Sequence, residues 1–240
     1  MDRGYETRCA MNEAVQCIQR GDLDGLKRLL KENPSLATER FDGQRTLLHV
    51  ATDWPGHFPH SAETVVTLIE HGAEVNAAFV GKHRETPLHW AASSDDVAAL
   101  DALLDHGADI EASGGVIGGG TAIADAVAFG QWNAARQLVE RGARTNLWQS
   151  AALGLMPRVE ECFSQAAPSA DDVTNAFWCA CHGGQRETAE YLLKRGAELN
   201  CVGYDNLTPI EAANRSHAES LVAWLRGLGA KLTAQPLAQQ

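Results

Sequence analysis

The side chains of this chain that could do chemistry are nine histidines, six cysteines and a set of scattered carboxylates. His57, His60, Asp53 and Asp125 are of the types that ligate divalent ions. Their spacing matches no chelating pattern, since H-E-x-x-H and C-x-x-C are both absent, and no metal site is expected. Ser93 or Cys179 with His182 and Asp125 supplies the residue types of a nucleophile, base and orienting acid, but a triad is defined by geometry and no spacing here marks one. Glu160-Glu161 reads more simply as a solvated helix face than as an acid/base pair. The run Gly114-Gly115-Val116-Ile117-Gly118-Gly119-Gly120 could in principle cradle phosphate through backbone N–H groups. It has neither the Lys-Ser/Thr ending nor the preceding strand of a P-loop, so a flexible loop is expected. The residues thus point to no catalysis and no cofactor.

One segment has another kind of chemistry. Asp53-Trp54-Pro55-Gly56-His57-Phe58-Pro59-His60 sets two aromatic rings and two imidazoles on a proline-containing stretch. Such a loop either recognises a partner or folds its rings back over exposed apolar surface. The wider composition narrows what a partner could be. With 240 residues, 45% of them hydrophobic, the chain has enough apolar surface for a core, which excludes disorder throughout. Twenty basic against 31 acidic side chains leave a net charge of −11, which opposes binding to a phosphate backbone, so no nucleic acid is expected. No run approaches the roughly 20 apolar residues of a membrane helix, and Met1-Asp2-Arg3-Gly4-Tyr5-Glu6 has no signal-peptide core. The expectation is a cytoplasmic protein, not bound to membrane, with free thiols. Cys179 and Cys181, two apart on a helix, face differently and suit neither a disulfide nor a chelate.

These residues sit in a repeat. Thr86-Pro87-Leu88-His89-Trp90-Ala91-Ala92 returns as Thr46-Leu47-Leu48-His49-Val50-Ala51-Thr52, Thr121-Ala122-Ile123-Ala124-Asp125-Ala126-Val127 and Thr208-Pro209-Ile210-Glu211-Ala212-Ala213-Asn214. A second mark follows each block: Gly72-Ala73-Glu74, Gly107-Ala108-Asp109, Gly142-Ala143-Arg144, Gly196-Ala197-Glu198 and Gly229-Ala230. Thr before Pro is a helix N-cap followed by the helical position that needs no N–H, and apolar residues such as Val65, Leu68, Ile69 or Leu100, Leu103, Leu104 give a second helix one buried face. Twelve residues separate the tenth position of each block from the closing Gly or its substitute: Gly21 and Asn33, His60 and Gly72, Asp95 and Gly107, Gly130 and Gly142, Gly154 and Ala166, Gly184 and Gly196, His217 and Gly229. A single helix pair cannot bury its face, so neighbours must stack.

The pattern resembles the ankyrin repeat, with its period near 33 and T-P-L-H-x-A signature, over nearly the whole chain. The resemblance implies an all-α solenoid of stacked helix-turn-helix units with short β-hairpin-like fingers. One domain over 1–232 is expected, with a capping unit at 11–41, further units at 42–81, 82–116, 117–144, 145–170, 171–203 and 204–232, and a disordered tail at 233–240. It also implies that partners bind the concave groove and the fingers, and that His49 and His89 are framework residues.

Departures from the repeat locate the expected site. The second unit carries five extra residues before His60, the Trp54 loop. The third finger holds Lys82-His83-Arg84-Glu85 and the fourth is the glycine run. Three residues from Gly142 to Thr145 leave no room for a finger between the fourth and fifth units, implying a bent or partly closed groove. Trp148 and Trp178 stand where the histidine would be and read as bulk filling that gap. The expected function is protein or peptide binding by a monomer, with contacts from Trp54, His57, Phe58, Arg84, Trp90, Phe129 and His182 and a partner of basic character. The alternative is a small-molecule sensor or enzyme whose irregular groove closes around a ligand.

Overall fold

The computed structural model describes residues 3–233, with side chains from residue 7 onward. They form fourteen α-helices in seven consecutive pairs, and the contacts divide the chain into two units, Met1–Ala143 and Arg144–Gln240. In the first unit the pairs are α1 (Arg3–Arg20) with α2 (Leu23–Glu32), α3 (Leu47–Thr52) with α4 (Ser61–Glu70), α5 (Pro87–Ser93) with α6 (Val97–Asp105), and α7 (Ala122–Ala128) with α8 (Trp132–Glu140). In the second they are α9 (Leu147–Ala152) with α10 (Met156–Gln165), α11 (Ala170–His182) with α12 (Arg186–Leu193), and α13 (Pro209–Arg215) with α14 (Glu219–Gly227). Helix α1 starts at Arg3, ahead of the expected start of the first unit at residue 11. No helix among the described residues is long and apolar enough to cross a membrane.

Stacking joins like to like. In the first unit α3 packs on α5 and α5 on α7, while α4 packs on α6 and α6 on α8. Leu47, Leu48, Leu68, Leu88, Leu100, Leu103 and Ile123 are buried between these layers, each contributing roughly 1.5–3 kcal/mol of apolar transfer. In the second unit Phe177 of α11 is fully buried in a core with Val159, Leu192, Ile210 and Leu225.

The tenth position of every repeat is left-handed, whatever residue occupies it. Gly21, Gly130, Gly154 and Gly184 have φ between 69 and 72°, and His60, Asp95 and His217 follow at 58, 55 and 54° although a Cβ makes that conformation costly. Asn33 and Ala166, expected as substitutes for the closing glycine, are instead extended at φ −135 and −156°. For Asn33 the cause is Pro34, which drives its predecessor out of the helical region.

The fingers are hairpin-like only in outline. Phe41 and Arg45 form an isolated antiparallel bridge, Phe79 N–H donates to Glu85 O at 2.7 Å, Gly115 N–H to Gly120 O at 2.9 Å, and Gly203 N–H to Leu207 O at 2.9 Å. In the first unit neighbouring fingers are tied edge to edge by Val80 N–H to Gln44 O at 3.3 Å and Arg84 N–H to Gly114 O at 3.0 Å.

The chain near residue 233 is held down. Thr233 donates to Glu211 Oε1 from its N–H at 3.0 Å and from its hydroxyl at 2.7 Å, so the expected tail loses its first residue to the fold. The rest of that expectation, 234–240, lies outside the described residues.

Candidate functional site

Helix starts position the site, and at α3, α5, α11 and α13 the start is clasped to the following segment by the residue at the histidine position. His49 Nδ1 accepts from Thr46 N–H at 3.3 Å, which leaves its proton on Nε2, 3.1 Å from Glu85 O. His89 does the same with Thr86 N–H at 3.1 Å and Gly120 O at 3.2 Å. Burial favours the neutral ring, lowering His49 to about 4 and His89 below its ordinary value.

Trp178 is more than bulk. Its indole N–H donates to Leu207 O at 2.8 Å, the carbonyl before Thr208, which is the same clasp made with a different ring. Gly203 lies against that ring, where a Cβ would come 2.5 Å from Nε1. Glu211 makes an acidic version: Oε2 accepts from Thr208 N–H and hydroxyl, each at 2.8 Å, and Oε1 from Thr233. Burial alone would raise the Glu211 carboxyl, but these hydrogen bonds together outweigh it and hold it at about 2. Trp148 has no such role, because the helix cap is Asn146 and not Thr145. Asn146 Oδ1 accepts from Gln149 N–H at 3.1 Å and Gln149 Oε1 from Asn146 N–H at 2.9 Å, which puts Gln149 at the capping position.

In the first unit this frame sets a cleft of about 470 Å³ walled by Trp54, Trp90 and Phe129 with Glu85, Ser93 and Val116. Trp90 is half-buried, its ring edge-on to His49 at 5.1 Å and 5.6 Å from Phe79. Trp54 and Phe129 are 73% and 45% exposed. Gln131 ties the wall by donating to Ser93 O at 2.9 Å.

The inserted loop is fixed by the following repeat. Asp96, 1% exposed, accepts from His57 N–H at 2.9 Å, from Ser61 Oγ at 3.3 Å and from Ala99 N–H at 3.0 Å, so one carboxylate caps α6 and holds the loop. Gly56 is pressed onto Ser94, whose Cβ would lie 2.7 Å from an added methyl. The loop points its rings two ways. Trp54 joins the cleft, whereas His57 and Phe58 line a separate concavity with Asp95, Asp96 and Asn133.

The remaining expected contacts are dispersed. Arg84 is exposed in a hollow of about 520 Å³ between its own finger and the glycine finger, shared with Lys82 and His83. His182 belongs to the second unit, is 8% exposed, and stacks on Trp178 at 5.5 Å. Asp53 is paired with Arg45 at 2.8 Å, and burial pushes the Cys179 thiol up to about 12, far from a nucleophilic thiolate.

Two acids lie in or behind the cleft, one of them, Glu85, not singled out by the sequence. Glu85 lines the cleft although it ends the run Lys82-His83-Arg84-Glu85, which reads as solvated charge; its place before Thr86, in the clasped finger, is the signal that could have found it. Asp125 is fully buried under the glycine finger, Oδ1 accepting from Ile117 N–H at 3.1 Å, and Gly115 is required because a Cβ there would come 2.5 Å from Oδ2. Burial, with Glu85 adding its charge, raises Asp125 to about 7.

A family model described as ankyrin repeats (3 copies) matches residues 11–114 and again 62–149, and a second, described as ankyrin repeat, matches 174–204. No curated protein matches the chain.

Proposed function

Because this chain belongs to the ankyrin-repeat family, whose repeats are generally protein–protein interaction modules, we propose that it binds a protein or peptide through the Trp54–Trp90–Phe129 cleft and does no catalysis. The carrying observation is that Trp54 and Phe129 stay largely exposed on a framework that fixes them, where rings held only for stability would be covered. Arg84 on the neighbouring finger and the His57–Phe58 face flank the cleft as secondary contacts. His182, buried and stacked, is left out. The working form is taken to be a cytoplasmic monomer.

A small-molecule site has the volume in its favour, since about 470 Å³ lies within the range of ligand pockets. Against it, a rim residue that is 73% exposed leaves an open cleft, where small ligands are mostly enclosed.

Selection of displayed peptides on the purified chain tests the proposal. Selected peptides should bind with loss of at least about tenfold, roughly 1.4 kcal/mol, on Trp54→Ala, whose exposed side chain leaves the fold intact. Native mass spectrometry showing instead a retained molecule of a few hundred daltons, with Trp54→Ala releasing it, would establish the other reading.

A further inference from the structure

We propose that the Trp54–Trp90–Phe129 cleft takes a lysine or arginine side chain presented by a partner peptide, with Glu85 as its counter-charge and the three rings as its walls. The inference rests on the docking reading above and adds the chemistry of what docks.

The cleft holds negative charge that no ion pair among the described residues compensates. Glu85 is half-buried in the cleft wall, and burial raises its carboxyl above the ordinary range; a hydrogen bond from the Trp90 side chain and the nearby His83 offset this only in part. Behind it stands Asp125, 0% exposed, with Oδ2 lacking any hydrogen-bond partner, and close enough for the charge of Glu85 to disfavour that of Asp125. Among the described residues neither Glu85 nor Asp125 has an ion pair, and no Lys, Arg or His lines the cleft. Asp53, the other carboxylate of the lining, already holds Arg45, so it does not compete for an incoming cation.

The walls suit the same ligand. Indole and phenyl faces attract a cation through their quadrupoles, more strongly as the group loses water, and Trp54 and Phe129 offer theirs to solvent. The hollow around Lys82, His83 and Arg84 has the opposite sign, so this unit presents one cation-seeking and one cation-rich concavity on neighbouring fingers. The open rim favours a side chain carried on a peptide over a free small cation, because a peptide gains its remaining contacts along the surface outside the cleft.

The experiment follows the indole N–H signals of Trp54 and Trp90 by NMR in the full chain. The probes are blocked pentapeptides with arginine, lysine or glutamine between glycines, and tetramethylammonium chloride. Saturable shifts are expected with arginine or lysine, at least about tenfold weaker with glutamine, and at least about tenfold weaker again in Glu85→Gln, whose backbone carbonyl still clasps His49. Unchanged helicity and a melting temperature no lower than that of the parent chain in Glu85→Gln confirm that the loss is of charge and not of fold. Equal shifts from the glutamine peptide, or full binding by Glu85→Gln, overturn the charge inference while leaving docking intact. Tetramethylammonium binding as tightly as the arginine peptide overturns the choice of a peptide side chain. If none of these probes moves the two signals and the selected peptides also leave them unmoved, the docking reading falls and takes this one with it.

Discussion

The two units solve one problem with different chemistry. Each ties starts of the first helix of a pair to the segment that follows the pair. The first unit does so with imidazoles, His49 on Glu85 O and His89 on Gly120 O, whereas the second uses the indole of Trp178 on Leu207 O and the carboxylate of Glu211 on Thr233. Ala124, at the same position in the last repeat of the first unit, carries no polar atom to do it. Repeats that carry a clasp therefore use whatever side chain reaches the next finger, and the choice among histidine, tryptophan and glutamate decides how the clasp responds to acid.

The largest expected effect tests whether the indole is a clasp at all. Trp178→Ala should destabilise the protein by about 3–5 kcal/mol in denaturant titration, from lost packing and the orphaned Leu207 carbonyl. Trp178→Phe keeps most of the packing and should cost about 1 kcal/mol. A Phe variant as stable as wild type would make Trp178 mere filling and break the comparison.

Acid should separate the units next. A histidine lowered to about 4 when folded, against about 6.5 unfolded, contributes stability that is whole above pH 6.5 and lost as pH falls towards 4, worth on the order of 3 kcal/mol for His49. Hydrogen exchange at pH 7 and pH 4.5 should show protection falling around α3 and α5 while the amides around α11 and α13 keep theirs. The measurement belongs in an Asp125→Asn background, since Asp125 has the opposite sign. Raised from about 3.8 to about 7, it costs stability above pH 7 and returns it as pH falls towards 4. Asp125→Asn alone should stabilise the protein by about 2 kcal/mol at pH 8, the relief of a buried charge less the cost of a buried amide, with the gain vanishing by pH 4. A gain that does not depend on pH would show that Asp125 is not the titrating group.

How much of this was legible depends on the range over which each feature is decided. The helix pairs and the caps at Thr46, Thr86, Thr121 and Thr208 are settled within a dozen residues, and they stand where the repeat put them. The role of Trp178 is settled by a carbonyl 29 residues away, so matching positions alone reduced it to size. The start of α9 was misplaced by one residue because Thr145 and Asn146 can both cap, and Gln149 rather than the repeat decides between them. In the cleft, Trp54, Trp90 and Phe129 could be singled out as aromatics at departures from the repeat or beside its signature. Glu85 was not, because its burial depends on how finger and inner helix meet.

The smallest prediction concerns the left-handed positions. Asp95 recovers its backbone cost through its carboxylate, which accepts from Ala134 N–H at 2.7 Å and from Asn133 Nδ2 at 2.8 Å; no hydrogen bond is seen for the exposed side chain of His217. His217→Gly should therefore raise stability by about 0.5–1 kcal/mol and Asp95→Gly should not, as thermal melts of the two variants would show.

Asp96 carries a lesson for anyone who would transplant this surface. The aromatic insertion belongs by sequence to one repeat, but the carboxylate that fixes it belongs to the next. A single repeat grafted into another scaffold would bring the rings without their anchor. The smallest module that keeps the anchor is the pair from Thr46 to Asp105, and within it Gly56 must stay while the amide at 57 and the hydroxyl at 61 still find residue 96.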